Sequence, residues 1–308
     1  SAAVDLAVAS AEADPRARRF KGLVNAVLRR MAREPAAVLP LDIDCPAWLM
    51  ERLSAQYGPE KAAAIAEAHR HPAPVDLTVK SDPKGWADTL GGRVIGASTV
   101  RLDTLDGPVT ELAGFNDGAW WVQDAAAALP VQLFGDLTGR TAADLCAAPG
   151  GKTAQLADAG AGVTALDLSA NRLKRLAGNL ERLGLSDACQ TIATDLFKFA
   201  PEESFDAVLL DAPCSSTGTV RRHPDVPYAK SAADIEKLAG LQARMLDKAS
   251  QWVRVGGVLV FSNCSLDPVE GEAVARHFAA GHPDFAIVPV TLDEARGFGD
   301  AITAEGFL

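Results

Sequence analysis

The sequence predicts an α/β protein built on a doubly wound parallel sheet, preceded by a small α+β module and a helical segment. Three observations carry this reading. From about residue 116, apolar runs of strand length alternate with helical patterns, as in successive βαβ units. Two of those runs end in turns that carry a cysteine, Asp211-Ala-Pro-Cys-Ser215 and Phe261-Ser-Asn-Cys-Ser265. A third run leads into a Gly-Gly turn at Gly150-Gly151. Open α/β sheets bind ligands beyond the carboxyl ends of their strands, so the two thiols are expected to face one pocket.

Taken in order, residues 1–33 read as helix, with Leu23, Val24, Val27, Leu28 and Met31 at helical spacing and Arg29, Arg30 and Arg33 on other faces. Pro35 and Pro40 break the pattern, and Glu34–Asp44 reads as a linker. A second helix is expected from about Pro46 to Ala68, ended by His69, His71, Pro72 and Pro74. The histidine pair lacks acidic or thiol partners in sequence and reads as a surface turn rather than a metal site. Val75–Lys80 alternates as a strand, Lys84–Leu90 suits a short helix, and Val100–Leu105 and Trp120–Val122 are further strands separated by Asp-Gly turns. Residues 40–115 therefore form the expected α+β module, and 116–308 the larger domain. In the latter, strands are expected at Thr141–Leu145, Gly162–Asp167, Cys189–Ala193, Phe205–Leu210, Val255–Ser262 and Phe285–Val290. A helix is expected over Ser169–Leu183, with Leu173, Leu176, Leu180 and Leu183 on one face.

The 308 residues are 48% apolar and only 6% aromatic, enough for a sizeable core. No run approaches the roughly 20 apolar residues that span a bilayer. Five cysteines without Cys-x-x-Cys spacing argue against a disulfide framework and a structural zinc site. Free thiols in the cytoplasm, in a monomer without metal or membrane, is the expectation. The net charge of −10 disfavours indiscriminate nucleic-acid binding. Residues 1–35 nevertheless hold seven basic and four acidic residues, so they carry +3 and the rest of the chain −13. Those N-terminal residues suit a basic, RNA-contacting face as well as a solvated one.

Asp144-Leu-Cys-Ala-Ala-Pro-Gly-Gly-Lys-Thr153 is neither a P-loop nor a Gly-x-Gly-x-x-Gly fingerprint. Its glycines let backbone approach a ligand, and the helix start after them offers free N–H groups. Asp167 ends the next strand, where an acid accepts from ribose hydroxyls. Asp195 follows the third strand, in reach of an adenine amine. Each acid alone is more ordinarily a cap. In series they indicate an adenosine cofactor without a pyrophosphate, which S-adenosylmethionine fits. Two thiols beside a carboxylate then suit methylation at carbon 5 of cytosine. A thiolate adding to carbon 6 turns carbon 5 into a nucleophile. Asp211 would hydrogen-bond the base, and Lys152 would add positive charge.

Leu145-Cys-Ala-Ala-Pro-Gly-Gly-Lys-Thr153, Asp211-Ala-Pro-Cys-Ser-Ser-Thr-Gly218, Arg222-His-Pro-Asp225 and Ser262-Asn-Cys-Ser-Leu266 together resemble the RNA cytosine-5 methyltransferases of the Nop2/Sun/RsmB type. The resemblance covers roughly residues 120–290 and implies a Rossmann-like, class I S-adenosylmethionine-dependent fold. It implies that Cys264 is the nucleophile and that Cys214 assists breakdown of the adduct, the reverse of the order in DNA cytosine methyltransferases. It further implies cofactor contacts from Ala147, Ala148, Pro149, Gly150, Gly151, Lys152, Asp167, Arg172, Asp195 and Asp211. Phe20-Lys-Gly-Leu-Val-Asn-Ala-Val-Leu-Arg-Arg30 is similar to the end of the NusB-like RNA-binding domain that precedes the catalytic part in the small-subunit rRNA enzyme of this family. The implied partner is therefore RNA, pointing to 16S rRNA. The same chemistry on tRNA, or an RNA-binding assembly factor without turnover, are the alternatives.

Overall fold

The computed structural model describes residues 2–34 and 40–308, in two compact units, residues 1–43 and 44–308. Pro35 and the four residues after it, within the expected linker, lie outside the described residues. No helix among the described residues is long and apolar enough to cross a membrane.

In the first unit, two helices replace the single expected one, α1 (Ala2–Ala13) and α2 (Lys21–Arg33), with a 3-10 turn at Arg18–Phe20 between them. Pro15 is the reason, since its ring cannot continue an α-helix from the preceding turn. Leu23, Val27 and Met31, the apolar stripe of α2, are all exposed.

The second unit opens with α3 (Ala47–Tyr57) and α4 (Pro59–His69), again where one helix was expected. Gly58 separates them at φ +81°, a backbone open to glycine, and Pro59 starts the new helix at the position where its missing N–H costs nothing. Then come β1 (Val75–Val79), α5 (Pro83–Leu90), β2 (Arg93–Ile95), β3 (Thr99–Leu102) and β4 (Trp120–Val122). They form an antiparallel sheet in the order β2-β3-β1-β4. Strand β2 was not expected: its three residues are mostly exposed and show too short a pattern. Strand β4 pairs with β1, Leu77 opposite Val122, so this sheet runs past the expected boundary at 115.

The remaining elements are α6 (Ala125–Gln132), β5 (Thr141–Leu145), α7 (Gly151–Asp158), β6 (Gly162–Asp167), α8 (Ala170–Leu183) and β7 (Cys189–Ala193). They are followed by β8 (Phe205–Asp211), α9 (Val226–Ala229), α10 (Ala232–Ser250), β9 (Val253–Ser262) and α11 (Glu272–Gly281). The five strands form a wholly parallel sheet in the order β7-β6-β5-β8-β9. Strand side chains alternate between two buried layers, as expected when both faces are covered. Ala143, Leu145, Val208 and Leu210 pack with Met245, Leu246, Val274 and Phe278 of α10 and α11. Ala142, Ala207 and Leu209 pack on the other face with Val131 and Leu156 of α6 and α7. The leucine stripe expected on α8 is buried there too, with Ala154 and Ala165.

The expected strand at Phe285–Val290 does not form; that stretch is irregular. Phe285 instead packs edge-on against Phe278 of α11, with centroids 5.3 Å apart, and Val288 is exposed. A run of suitable residues without a paired neighbour has no ladder to join.

Strand order reverses between β5 and β8: β6 and β7 lie on one side, β8 and β9 on the other. The carboxyl ends of β5 and β8 therefore flank a crevice. The antiparallel sheet is anchored to this domain through Gln123. Its side-chain oxygen accepts from Trp121 Nε1 at 2.8 Å and Thr78 Oγ1 at 2.9 Å, and its amide donates to Gln155 Oε1 on α7 at 2.6 Å.

Candidate active site

The two thiols meet. Asp211 pairs with Ser262 in register at the ends of β8 and β9. The turns that follow carry Cys214 and Cys264 to an Sγ–Sγ separation of 3.4 Å. Local backbone explains the approach. Ala212 N–H donates to Ser262 O at 2.8 Å, and Gly218 N–H donates to Cys264 O at 2.9 Å, so the turns are stitched on both sides of the thiols. Gly218 is needed at that stitch, because a Cβ there would lie 2.8 Å from Cys264 O. Cys264 is exposed and Cys214 is half-buried.

Ser216, held at φ +61°, brings its hydroxyl to 3.5 Å from Cys264 Sγ and 3.8 Å from Cys214 Sγ. Hydrogen bonds from Cys214 and from Ser216, with the Lys152 charge nearby, hold the Cys264 thiol below the usual cysteine range, against burial and Asp211. The same shared proton, together with burial, pushes Cys214 up. Of the two, Cys264 is the more accessible and the one held toward the thiolate, the form in which a cysteine reacts.

Beside the thiols, Lys152 Nζ contacts Asp211 Oδ2 at 2.7 Å, and Ser262 Oγ donates to Asp211 Oδ1 at 3.0 Å. This pair joins the end of β8 to the first turn of α7, across the crevice.

The glycine turn after β5 makes a cradle. Gly150 sits at φ +106° under Leu176, and Gly151 begins α7. The Ala148-Pro149 peptide is cis. Buried Asp167 ties this turn to the end of β6: Oδ2 accepts from Ala148 N–H at 3.2 Å and pairs with Arg172 at 3.3 Å, and Oδ1 accepts from Ser169 N–H at 2.8 Å. Arg172 also donates to the Ala148 carbonyl. Ala147 N–H donates to Leu166 O at 2.7 Å, and the Pro149 carbonyl accepts from Asn179 Nδ2 at 3.4 Å. Beneath the cradle, Asp144 accepts from Thr153 Oγ1 at 2.6 Å, while its Oδ1 is buried without a hydrogen-bond partner. Burial pushes its carboxyl up to about 7. Asp195 stands apart from these contacts, half-buried, accepting from Phe197 N–H at 3.0 Å as the cap of a 3-10 turn.

Three features went unread in the sequence. Glu270, fully buried, accepts from residues of both thiol turns. Arg52 of α3 reaches Asp267 in a bidentate pair, with Nη2–Oδ1 at 3.0 Å, and Tyr57 Oη donates to Leu266 O at 2.8 Å, so α3 braces the Cys264 turn. Arg222, from the Arg-His-Pro-Asp stretch, pairs with Asp124 at 2.7 Å and ties the loop after Cys214 to the start of α6. Each of the three has a partner tens of residues or more away, and local pattern carries no signal for it.

A parallel sheet in this order, with a glycine cradle and acids at successive strand ends, is the Rossmann-like fold of the class I methyltransferases, and here thiols follow the two strands on one side of the reversal. Residues 136–304 match the family described as 16S rRNA methyltransferase RsmB/F, and the chain belongs to that family. It is 39% identical over 85% of its length to ribosomal RNA small subunit methyltransferase B of Xylella fastidiosa (strain Temecula1), of which it covers 63%. It is 37% identical over 87% of its length to the protein of the same name from Salmonella arizonae, of which it covers 67%. The chain thus spans about two thirds of the length of these relatives. A solved methyltransferase homologue from Pyrococcus horikoshii superposes with TM-score 0.68 at 30% identity, over 78% of this chain and 80% of that one. Membership of this family makes S-adenosylmethionine the cofactor, and the cradle, its helix start and the orphaned Asp144 oxygen are suited to a cationic, adenosine-bearing ligand.

Proposed function

We propose that this chain catalyses methyl transfer to carbon 5 of a cytidine in RNA, with 16S rRNA as the substrate class its family points to. The observation that carries the proposal is the pair of thiols 3.4 Å apart at the crevice, one of them exposed and held as the anion. Cys264 Sγ adds to carbon 6, forming a C–S bond and moving electron density to carbon 5. Asp211, oriented by Lys152 and Ser262, accepts from the exocyclic amine and the protonated ring nitrogen, stabilising the adduct. Bound S-adenosylmethionine supplies an electrophilic methyl group to that carbon. Once Cys264 is bonded to the base, it no longer shares the Cys214 proton. Cys214, its proton released to solvent once it is no longer shared, takes the carbon 5 proton as base; the C–H electrons form the C5–C6 double bond, the C–S bond breaks and its electron pair leaves on Cys264 as thiolate.

Cofactor contacts are assigned to Ala147–Lys152, Asp167, Arg172, Asp195 and Asp211. RNA contact is assigned to the basic residues of 1–35 and to the α+β module.

The test is a denaturing-gel assay for a covalent protein–RNA adduct, with small-subunit rRNA, cofactor, wild type, Cys214→Ser and Cys264→Ser. A shifted band for Cys214→Ser that is lost in Cys264→Ser is expected. The reverse pattern would swap the two roles. No adduct in any variant and no methyl transfer by wild type, on small-subunit RNA or tRNA, would overturn the reading.

A further inference from the structure

Glu270 lies in the turn between β9 and α11, with 0% of its surface exposed. A carboxyl group in such a place costs several kcal/mol unless its oxygens find donors. Here four converge. Oε1 accepts from Ser215 N–H at 2.8 Å and from Gln242 Nε2 at 3.2 Å. Oε2 accepts from Ser265 Oγ at 2.7 Å and from the Ser215 hydroxyl. The Glu270 backbone carbonyl accepts from Asn263 Nδ2 at 2.6 Å, and Gln242, itself fully buried on α10, also donates to Pro213 O at 2.9 Å.

The pattern around the thiols is symmetric. Pro213 and Ser215 flank Cys214; Asn263 and Ser265 flank Cys264. Every one of these four neighbours is held by Glu270 or by the glutamine seated against it. Packing alone does not call for this, because an apolar side chain of similar volume would fill the space without satisfying four donors. An amide fits only by reversing the serine hydroxyls: its oxygen can keep the Ser215 N–H and Gln242 contacts, but its NH2 would then donate to the Ser215 and Ser265 hydroxyls that now donate to a charged oxygen.

We propose that Glu270, seated on Gln242, is the positioning residue that sets the spacing of the Cys214 and Cys264 thiols and so their division of labour. Its role rests on the two-thiol reading above. It acts through the proton shared between the sulfurs, which a looser spacing would break.

The experiment follows the alkylation of Cys264 by iodoacetamide across pH, read by peptide mass spectrometry in folded, RNA-free protein. Wild type, Glu270→Gln, Cys214→Ser and the double variant are compared, with methyl transfer measured in parallel. Glu270→Gln is expected to slow Cys264 alkylation at about pH 7 about ten-fold, the fall in thiolate fraction when a thiol held at about 6 returns to about 8. Cys214→Ser should do the same, and the double variant should be no slower than either single one. Unchanged alkylation in a folded Glu270→Gln protein that has lost activity would overturn the proposal in favour of a purely structural role. Additive slowing in the double variant would overturn it too. If Glu270→Gln does not fold, Gln242→Met keeps the volume and removes both amide hydrogen bonds; it should slow alkylation in the same direction, and an unchanged profile there refutes the idea. Because the readout needs no RNA, a wild type that forms no RNA adduct would undo the proposed function while the thiol profile still decides this one.

Discussion

Replacing Gly150 by alanine puts the cradle under two separate strains. At φ +106° the residue occupies backbone that L side chains avoid, at a cost of about 1–2 kcal/mol. The new Cβ would lie 2.7 Å from Leu176 Cγ, and Leu176 is fully buried on α8, so it has little room to retreat. Overpacking of that kind costs about 1–3 kcal/mol. Together Gly150→Ala should destabilise the protein by about 2–5 kcal/mol. Urea unfolding should show a lowered midpoint with an unchanged slope. Isothermal titration with S-adenosylmethionine should show weakened binding, because relief of the clash moves the backbone of Pro149–Gly151. A second variant separates the two strains. Leu176→Ala removes the clash but leaves a cavity worth about 2–5 kcal/mol, so Gly150→Ala/Leu176→Ala should cost about 1–3 kcal/mol less than the two singles summed. A Gly150→Ala protein within about 0.5 kcal/mol of wild type would refute the reasoning.

Asp144 predicts a pH effect. Burial raises its carboxyl from 3.8 to about 7, so the folded state binds its proton more tightly than the unfolded chain. That contribution is fully present below about pH 4 and fades as pH rises to about 7. Asp144→Asn should lose this dependence, and its stability relative to wild type should improve between pH 5 and pH 8 in urea titrations; parallel curves would contradict it. Arg52→Ala should leave Asp267 buried without its bidentate partner. The cost should be about 2 kcal/mol, below that of a fully buried pair because the guanidinium is partly solvated, and methyl transfer should fall more than cofactor binding. Equal loss of both would place the effect in global stability rather than in the Cys264 turn.

The central parallel strands β5, β6 and β8 were legible because they are buried on both faces and so read as continuous apolar runs bounded by turns. β4 through β7 fall where expected, and β8 and β9 are longer by one and two residues. Failures came where a local pattern spans a break. Pro15 and Gly58-Pro59 divide helices whose apolar spacing runs on regardless, and Phe285–Val290 has strand composition but pairs with no strand among the described residues. The site divides in the same way. Cys214, Cys264, Lys152 and Asp211 were visible as residue types at strand ends, and the fold brings all four together. Asp195, expected at the cofactor rather than beside the thiols, caps a 3-10 turn after β7.

The sequence by itself determined which residues stand at the ends of which strands, because period and burial are local properties written along the chain. It determined two thiols and two acids at carboxyl ends, and a glycine turn with the backbone freedom to approach a ligand. Only the tertiary structure decided that the thiols lie 3.4 Å apart and that Cys264 is the exposed one of the pair. It alone revealed Glu270, whose donors come from residues 215, 242 and 265. Those outcomes depend on sheet order, β8 beside β9, and on hydrogen bonds between segments far apart in the chain. Spacing along a sequence carries no record of them, because a buried carboxyl group is defined by what converges on it rather than by its neighbours in line.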